Sequence, residues 1–129
     1  MTDAQLLALK ERLLDAWNRQ DVEGVLACCT DDVVYRDPNT RGEVRGLDAM
    51  RRYLRKLFAA WNMHWEVRES FRLATADGVA ALWRASFRRP GGQRTVYADG
   101  MDLVLVEGER VTRNEVYFDR AVLAALAGD

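Results

Sequence analysis

The ten residues T-D-D-V-V-Y-R-D-P-N, Thr30 to Asn39, decide how the 129-residue chain reads. Val33, Tyr35 and Asp37 alternate with Val34 and Arg36, the two-residue period of a strand. Pro38 ends the run because it has no N–H to give a ladder. One face of this strand therefore carries valine, tyrosine and aspartate, which puts a carboxylate beside apolar surface. Such an aspartate is either a turn residue accepting from backbone N–H groups near Pro38 and Asn39, or a group with chemistry to perform.

The residues before this strand read as helix. Thr2 followed by Gln5 is a capping box. Leu6, Leu9, Leu13 and Trp17 recur at helical spacing, with Leu7 and Leu14 widening the stripe. Asp21 caps a second, short helix that carries Val22, Val25, Leu26 and Cys29. After the strand, Thr40 to Gly46 reads as a polar loop. A third helix starts near Leu47-Asp48 and buries Met50, Leu54, Leu57, Phe58 and Trp61 on one face. Arg51, Arg52, Arg55 and Lys56 on its other side read as a solvated face, since no aromatics interleave with them.

From His64 the period becomes two. Trp65 and Val67 begin a strand that runs to Ala74, and Asp77-Gly78 marks a turn. Val79–Arg89, Thr95–Val106 and Val111–Phe118 are further strands, separated by Pro90-Gly91-Gly92 and Glu107-Gly108. Asp119 caps a terminal helical turn over Ala121–Ala127. Helices followed by a meander of strands predict one α+β domain over 1–129, a curved and mostly antiparallel sheet wrapped round three helices.

Composition narrows the function. The chain is 49% hydrophobic and 30% charged with a net charge of −1. That balance favours neither nucleic acid nor an anionic membrane surface as a partner. No apolar run reaches the ~20 residues of a bilayer span, and no leader pattern is present. Adjacent Cys28 and Cys29 read as buried thiols in a reducing, cytoplasmic compartment. A single histidine and no spaced cysteines predict no metal site. No Gly-rich phosphate loop and no nucleophile elbow occurs.

W-N-R-Q-D at Trp17, the Thr30–Pro38 strand, G-L-D-A-M at Gly46 and V-Y-F-D-R at Val116 together resemble the nuclear transport factor 2-like superfamily. Within it they are most similar to the SnoaL-like group of polyketide cyclases. The resemblance implies a cone-shaped α+β barrel, a deep apolar pocket for a small hydrophobic molecule, and a homodimer through the outer sheet face. It also implies chemistry without a cofactor. In ketosteroid isomerase-like members an aspartate in a D-P dipeptide is the general base, which corresponds to Asp37. A protonated aspartic acid in the penultimate strand is a hydrogen-bond donor to the oxyanion, which corresponds to Asp102. The catalytic tyrosine of those members corresponds to Leu13, which cannot donate. In epoxide-hydrolase-like members an arginine lies two residues before the Asp102 position, where this chain has Gly100, and a further aspartate corresponds to Val116.

Tyr35 and Tyr53 are the remaining candidate donors, and His64 is a candidate proton carrier or rim residue. Trp17, Phe58, Trp61, Trp83, Phe87, Phe118, Asn114 and Val116 are expected to line the hollow as core, ligand contact or both. Three readings follow: a cofactor-independent isomerase or cyclase using Asp37 and Asp102, a non-catalytic ligand-binding module, or a dimerisation module with a packed interior.

Overall fold

The Thr2 hydroxyl accepts from Gln5 N at 3.1 Å while the Gln5 side chain accepts from Thr2 N at 2.8 Å. This reciprocal cap starts the first helix, α1 (Asp3–Asn18), in a computed structural model that describes residues 1–129. Leu6, Leu9, Leu13, Ala16 and Trp17 are its buried stripe, whereas Leu7 projects into solvent. Asp21 accepts from Gly24 N and starts α2 (Val22–Ala27). That helix is shorter than the sequence suggests. Cys29 opens the strand β1 (Cys29–Arg36) instead of closing the helix, because Cys28 already takes the helix's last backbone bond.

The supposed polar loop contains a two-residue strand, β2 (Val44–Arg45), paired antiparallel with Val34 and Tyr35. So short a pairing leaves no periodicity to read. Helix α3 (Leu47–Ala60) follows and buries Met50, Leu54 and Leu57. Four long strands complete the chain: β3 (Asn62–Arg72), β4 (Gly78–Arg88), β5 (Val96–Glu107) and β6 (Arg110–Tyr117). The first hairpin turns over residues 73–77, and Gly78, expected in the turn, is the first residue of β4. The last hairpin turns at Gly108 and Glu109, both with positive φ (56° and 65°), the backbone of a two-residue primed turn. Asp119 caps a 3-10 helix, Arg120–Leu126.

The strands form one sheet in the order β2-β1-β6-β5-β4-β3. All neighbours are antiparallel except β1 and β6, which are parallel. The three helices cover its inner face, giving the α+β cone. Two polar side chains of the W-N-R-Q-D stretch lock the helical layer to the free edge of β3. Asn18 both accepts from Trp65 N and donates to Trp65 O, and Gln20 accepts from Met63 N and donates to Phe58 O. Three spare backbone groups of this edge, Met63 N and Trp65 N and O, are thereby satisfied.

Candidate functional site

Strand parity builds the interior. In β5, Asp102 and Val104 face the helices while Met101 and Leu103 face out; in β6, Asn114 and Val116 face in while Tyr117 faces out. Together with Leu13, Leu14 and Trp17 of α1, Tyr35 of β1, Trp65 and Val67 of β3 and Ala81 and Trp83 of β4, they surround a cavity of about 60 Å³. Its polar groups are few: Lys10, Asp102 and Asn114, with Tyr35 in the wall.

Asp102 is fixed by two donors. Trp83 Nε1 donates to Oδ1 at 3.3 Å and Asn114 Nδ2 to Oδ2 at 3.0 Å, the latter also reaching Leu103 O at 3.1 Å. Burial raises the carboxyl's pKa above the ordinary aspartate value, against the opposing pull of both donors and of Lys10. Lys10 approaches the same space from α1, its Nζ donating to Ser70 Oγ at the β3 edge. Burial lowers its pKa, and the charge of Asp102 resists that shift. The cavity thus holds an acid and a base, each pushed towards its neutral form.

Gly100 explains the pose of Trp83. The two are cross-strand partners, and a Cβ at Gly100 would lie 2.6 Å from Trp83 Cη2 and 2.5 Å from Tyr117 O. The indole occupies the space of the missing side chain, which is how its N–H reaches Asp102.

Asp37 sits differently. It follows the end of β1, outside the cavity lining. Oδ1 accepts from Asn39 N at 2.7 Å and Thr40 N at 3.1 Å, while Oδ2 accepts from Tyr35 OH at 2.7 Å and Tyr53 OH at 2.5 Å. The turn geometry that the D-P-N stretch suggests is present, and two phenols take the remaining oxygen. A carboxylate has about four acceptor positions, and here all are used. Tyr35 and Tyr53 both have pKa values raised, first by burial and next by the Asp37 charge, so both remain neutral donors.

The other expected contacts divide. Trp17, Tyr35, Trp83, Asp102, Asn114 and Val116 do converge on the cavity. Phe58, Phe87 and Phe118 instead pack edge-on against Trp17, Trp65 and Trp83, and Phe87 lies tilted against Phe118. Tyr53 and Trp61 line a separate outer hollow. His64 does not reach the interior: between inward-facing Met63 and Trp65 the two-residue period points it outward, where Nε2 lies 3.9 Å from Glu66 Oε1. Sequence reasoning missed Lys10, whose place on the α1 stripe one turn before Leu13 and Leu14 was the available signal. It also passed over Trp65, Val67, Ala81 and Val104, which strand parity places inward. No three His, Cys, Asp or Glu side chains converge in metal-ligating geometry.

A curved mixed sheet closed over three helices, with an apolar cavity and one inward carboxyl, defines a nuclear transport factor 2-like α+β cone. The SnoaL-like domain family model matches residues 11–114, and the chain belongs to that family. Among solved structures it is similar to an NTF2-like protein of unknown function from Burkholderia pseudomallei (TM-score 0.84, 20% identity, covering 100% of both chains). It is also similar to a Mycobacterium tuberculosis protein solved in complex with estradiol-17beta-hemisuccinate (TM-score 0.78, 20% identity, 92% of this chain and 96% of that one). A third is a Catenulispora acidiphila protein of ketosteroid isomerase-like fold in complex with trimethylamine (TM-score 0.81, 16% identity, 93% and 92%). A search of curated proteins finds no match.

Proposed function

We propose that the protein binds a compact, mostly apolar molecule in the inner cavity, with Asp102 as its polar contact. The observation that supports this most directly is Asp102 itself: a carboxyl held by two fixed donors, with its neutral form favoured by burial, facing space walled by apolar side chains. The ligands in the M. tuberculosis and C. acidiphila complexes agree with a small-molecule role for this fold. At about 60 Å³ the cavity lies well below the ~300 Å³ at the low end of ligand sites. A ring-sized ligand therefore requires a wall residue to move, and half-buried Trp65 is the one proposed to do so.

The catalytic form of this reading is cofactor-independent proton transfer on carbon, as in an isomerase or cyclase. Asp102 meets the substrate as acid or neutral donor. Asp37 acts as base only if a ligand draws away one of its tyrosines; otherwise its part is to hold Tyr35. The test is deuterium incorporation into 2-cyclohexenone in D2O, followed by NMR, alongside ligand titration by tryptophan fluorescence. Loss of exchange in both Asp102→Asn and Asp37→Asn with binding retained supports two-carboxylate catalysis. Binding without exchange in the wild type leaves a binding protein, and the absence of saturable binding overturns the proposal.

The small cavity favours a second reading, a packed dimerisation module. Tyr97 (60% exposed), Tyr117 (50%) and Met101 (39%) lie on the outer sheet face, with Met101 and Tyr117 cross-strand partners. That apolar surface suits a homodimer interface. Sedimentation of wild type and Met101→Lys tests it: a dimer that the substitution splits, with no ligand binding, supports the module. The cytoplasmic setting proposed for the chain agrees with Cys28 and Cys29 being buried and free.

A further inference from the structure

A second hollow, of about 600 Å³, lies between the C-terminal half of α3, the segment after β4 and the terminal 3-10 helix. It shares no lining residue with the inner cavity. Tyr35, in the wall of the inner cavity, and Tyr53, in the wall of the outer hollow, donate to the same Asp37 oxygen. Its volume falls within the ~300–1,000 Å³ of small-molecule sites. Its floor is apolar, including Leu57, Trp61 and Leu123, and its charged lining is Lys56, Arg89 and Arg120 without a single carboxylate. In a chain of net charge −1, three cations round one apolar floor mark a local reversal of sign.

Arg89 is the built element. Its guanidinium carbon lies 3.8 Å from the centroid of the Trp61 ring, and its Nη1 donates to Ala60 O at 3.1 Å. The first contact holds the head on the ring by cation–π attraction. The second ties it to a carbonyl at the C-terminus of α3, which would otherwise repel an anion. Guanidinium has five N–H donors, so donors remain after the bond to Ala60. A planar cation held on an aromatic wall is pre-organised for the forked geometry of a carboxylate, sulfonate or phosphate.

We propose that this outer hollow is a binding site for an organic anion: an apolar body seated on Leu57, Trp61 and Leu123, and an oxyanion received by Arg89, with Lys56 and Arg120 adding attraction from the rim. The occupant is a small amphiphilic acid. The site does not depend on what the inner cavity binds.

Two probes of nearly the same body separate charge from apolar contact: 1-anilinonaphthalene-8-sulfonate and the neutral N-phenyl-1-naphthylamine. Binding is followed by fluorescence, and location by the indole N–H resonances of the four tryptophans, assigned by single Trp→Phe variants. The expected result is that the sulfonate binds about tenfold or more tightly than the neutral probe, the return on one charge-assisted contact. Its affinity falls with salt while that of the neutral probe does not. The Trp61 resonance moves and those of Trp17, Trp65 and Trp83 do not. Arg89→Met abolishes the preference, and Arg89→Lys, which keeps charge but loses the fork, retains part of it. Should Arg89→Met fold poorly by circular dichroism, the exposed pair Lys56→Met and Arg120→Met decides through the salt dependence. Equal affinities for the two probes, an unchanged preference in Arg89→Met, or movement of Trp83 in place of Trp61 overturns the proposal.

Discussion

Replacing Gly100 by alanine tests the account of the inner site at its tightest point. The added Cβ would meet Tyr117 O at 2.5 Å and the Trp83 ring at 2.6 and 2.8 Å. The carbonyl cannot retreat freely, because Met101 and Tyr117 are cross-strand partners in the β5–β6 ladder. The indole must therefore tilt, at ~0.5–1.5 kcal/mol for an off-rotamer side chain. Overpacking of a dense core adds ~1–3 kcal/mol, whereas replacing a strand glycine returns ~0.5–1 kcal/mol of backbone entropy. The net expectation is a loss of about 1–3 kcal/mol, or a urea midpoint lowered by roughly 1–2 M for a small domain. Tilting the indole also weakens its N–H bond to Asp102, already long at 3.3 Å. Since that bond lowers the carboxyl's pKa, its loss drives the Asp102 pKa further up. Urea unfolding and a side-chain carbon NMR titration of Asp102 measure the two effects. A Gly100→Ala protein as stable as the wild type, or one with a lower Asp102 pKa, refutes the reasoning.

Asp102 also predicts a pH dependence. Its folded pKa is raised, so its stabilising contribution is complete below the ordinary aspartate range and is lost as pH rises through the folded value; Asp102→Asn removes that slope from a plot of unfolding free energy against pH. The same substitution removes the charge that resists desolvation of Lys10, so the Lys10 pKa falls further, as read from its side-chain carbon shifts; a rise contradicts the coupling. Tyr53→Phe deletes one of the four donors on Asp37 and is expected to cost ~1.5–3 kcal/mol in urea unfolding, the worth of a hydrogen bond to a charged group. Trp65→Ala enlarges the inner cavity and is expected to tighten binding of 2-cyclohexenone while lowering stability by ~3–5 kcal/mol; weaker binding shows that the tryptophan forms the site instead of obstructing it.

Local rules were enough for most of the elements and for the fold class. Thr2, Asp21 and Asp119 announced helix starts because caps act within three residues, and the meander was plain because a strand's period of two needs no partner to be read. Asp102 was singled out by the family resemblance, since its strand is apolar on both faces, and the folded sheet places it inward and His64 outward. The two-residue strand at Val44 escaped because pairing, not pattern, creates it. The roles of the carboxyls depend on contacts between distant segments. Asp37 and Asp102 both lie in strand-like company, yet Asp37 is saturated by a tyrosine from α3 and Asp102 keeps an open side facing Lys10 from α1. Those meetings join segments far apart in the chain, and no local rule encodes them. The size of the hollow was equally hidden, since the same aromatic stripe either lines a cavity or fills it, and packing geometry alone chooses.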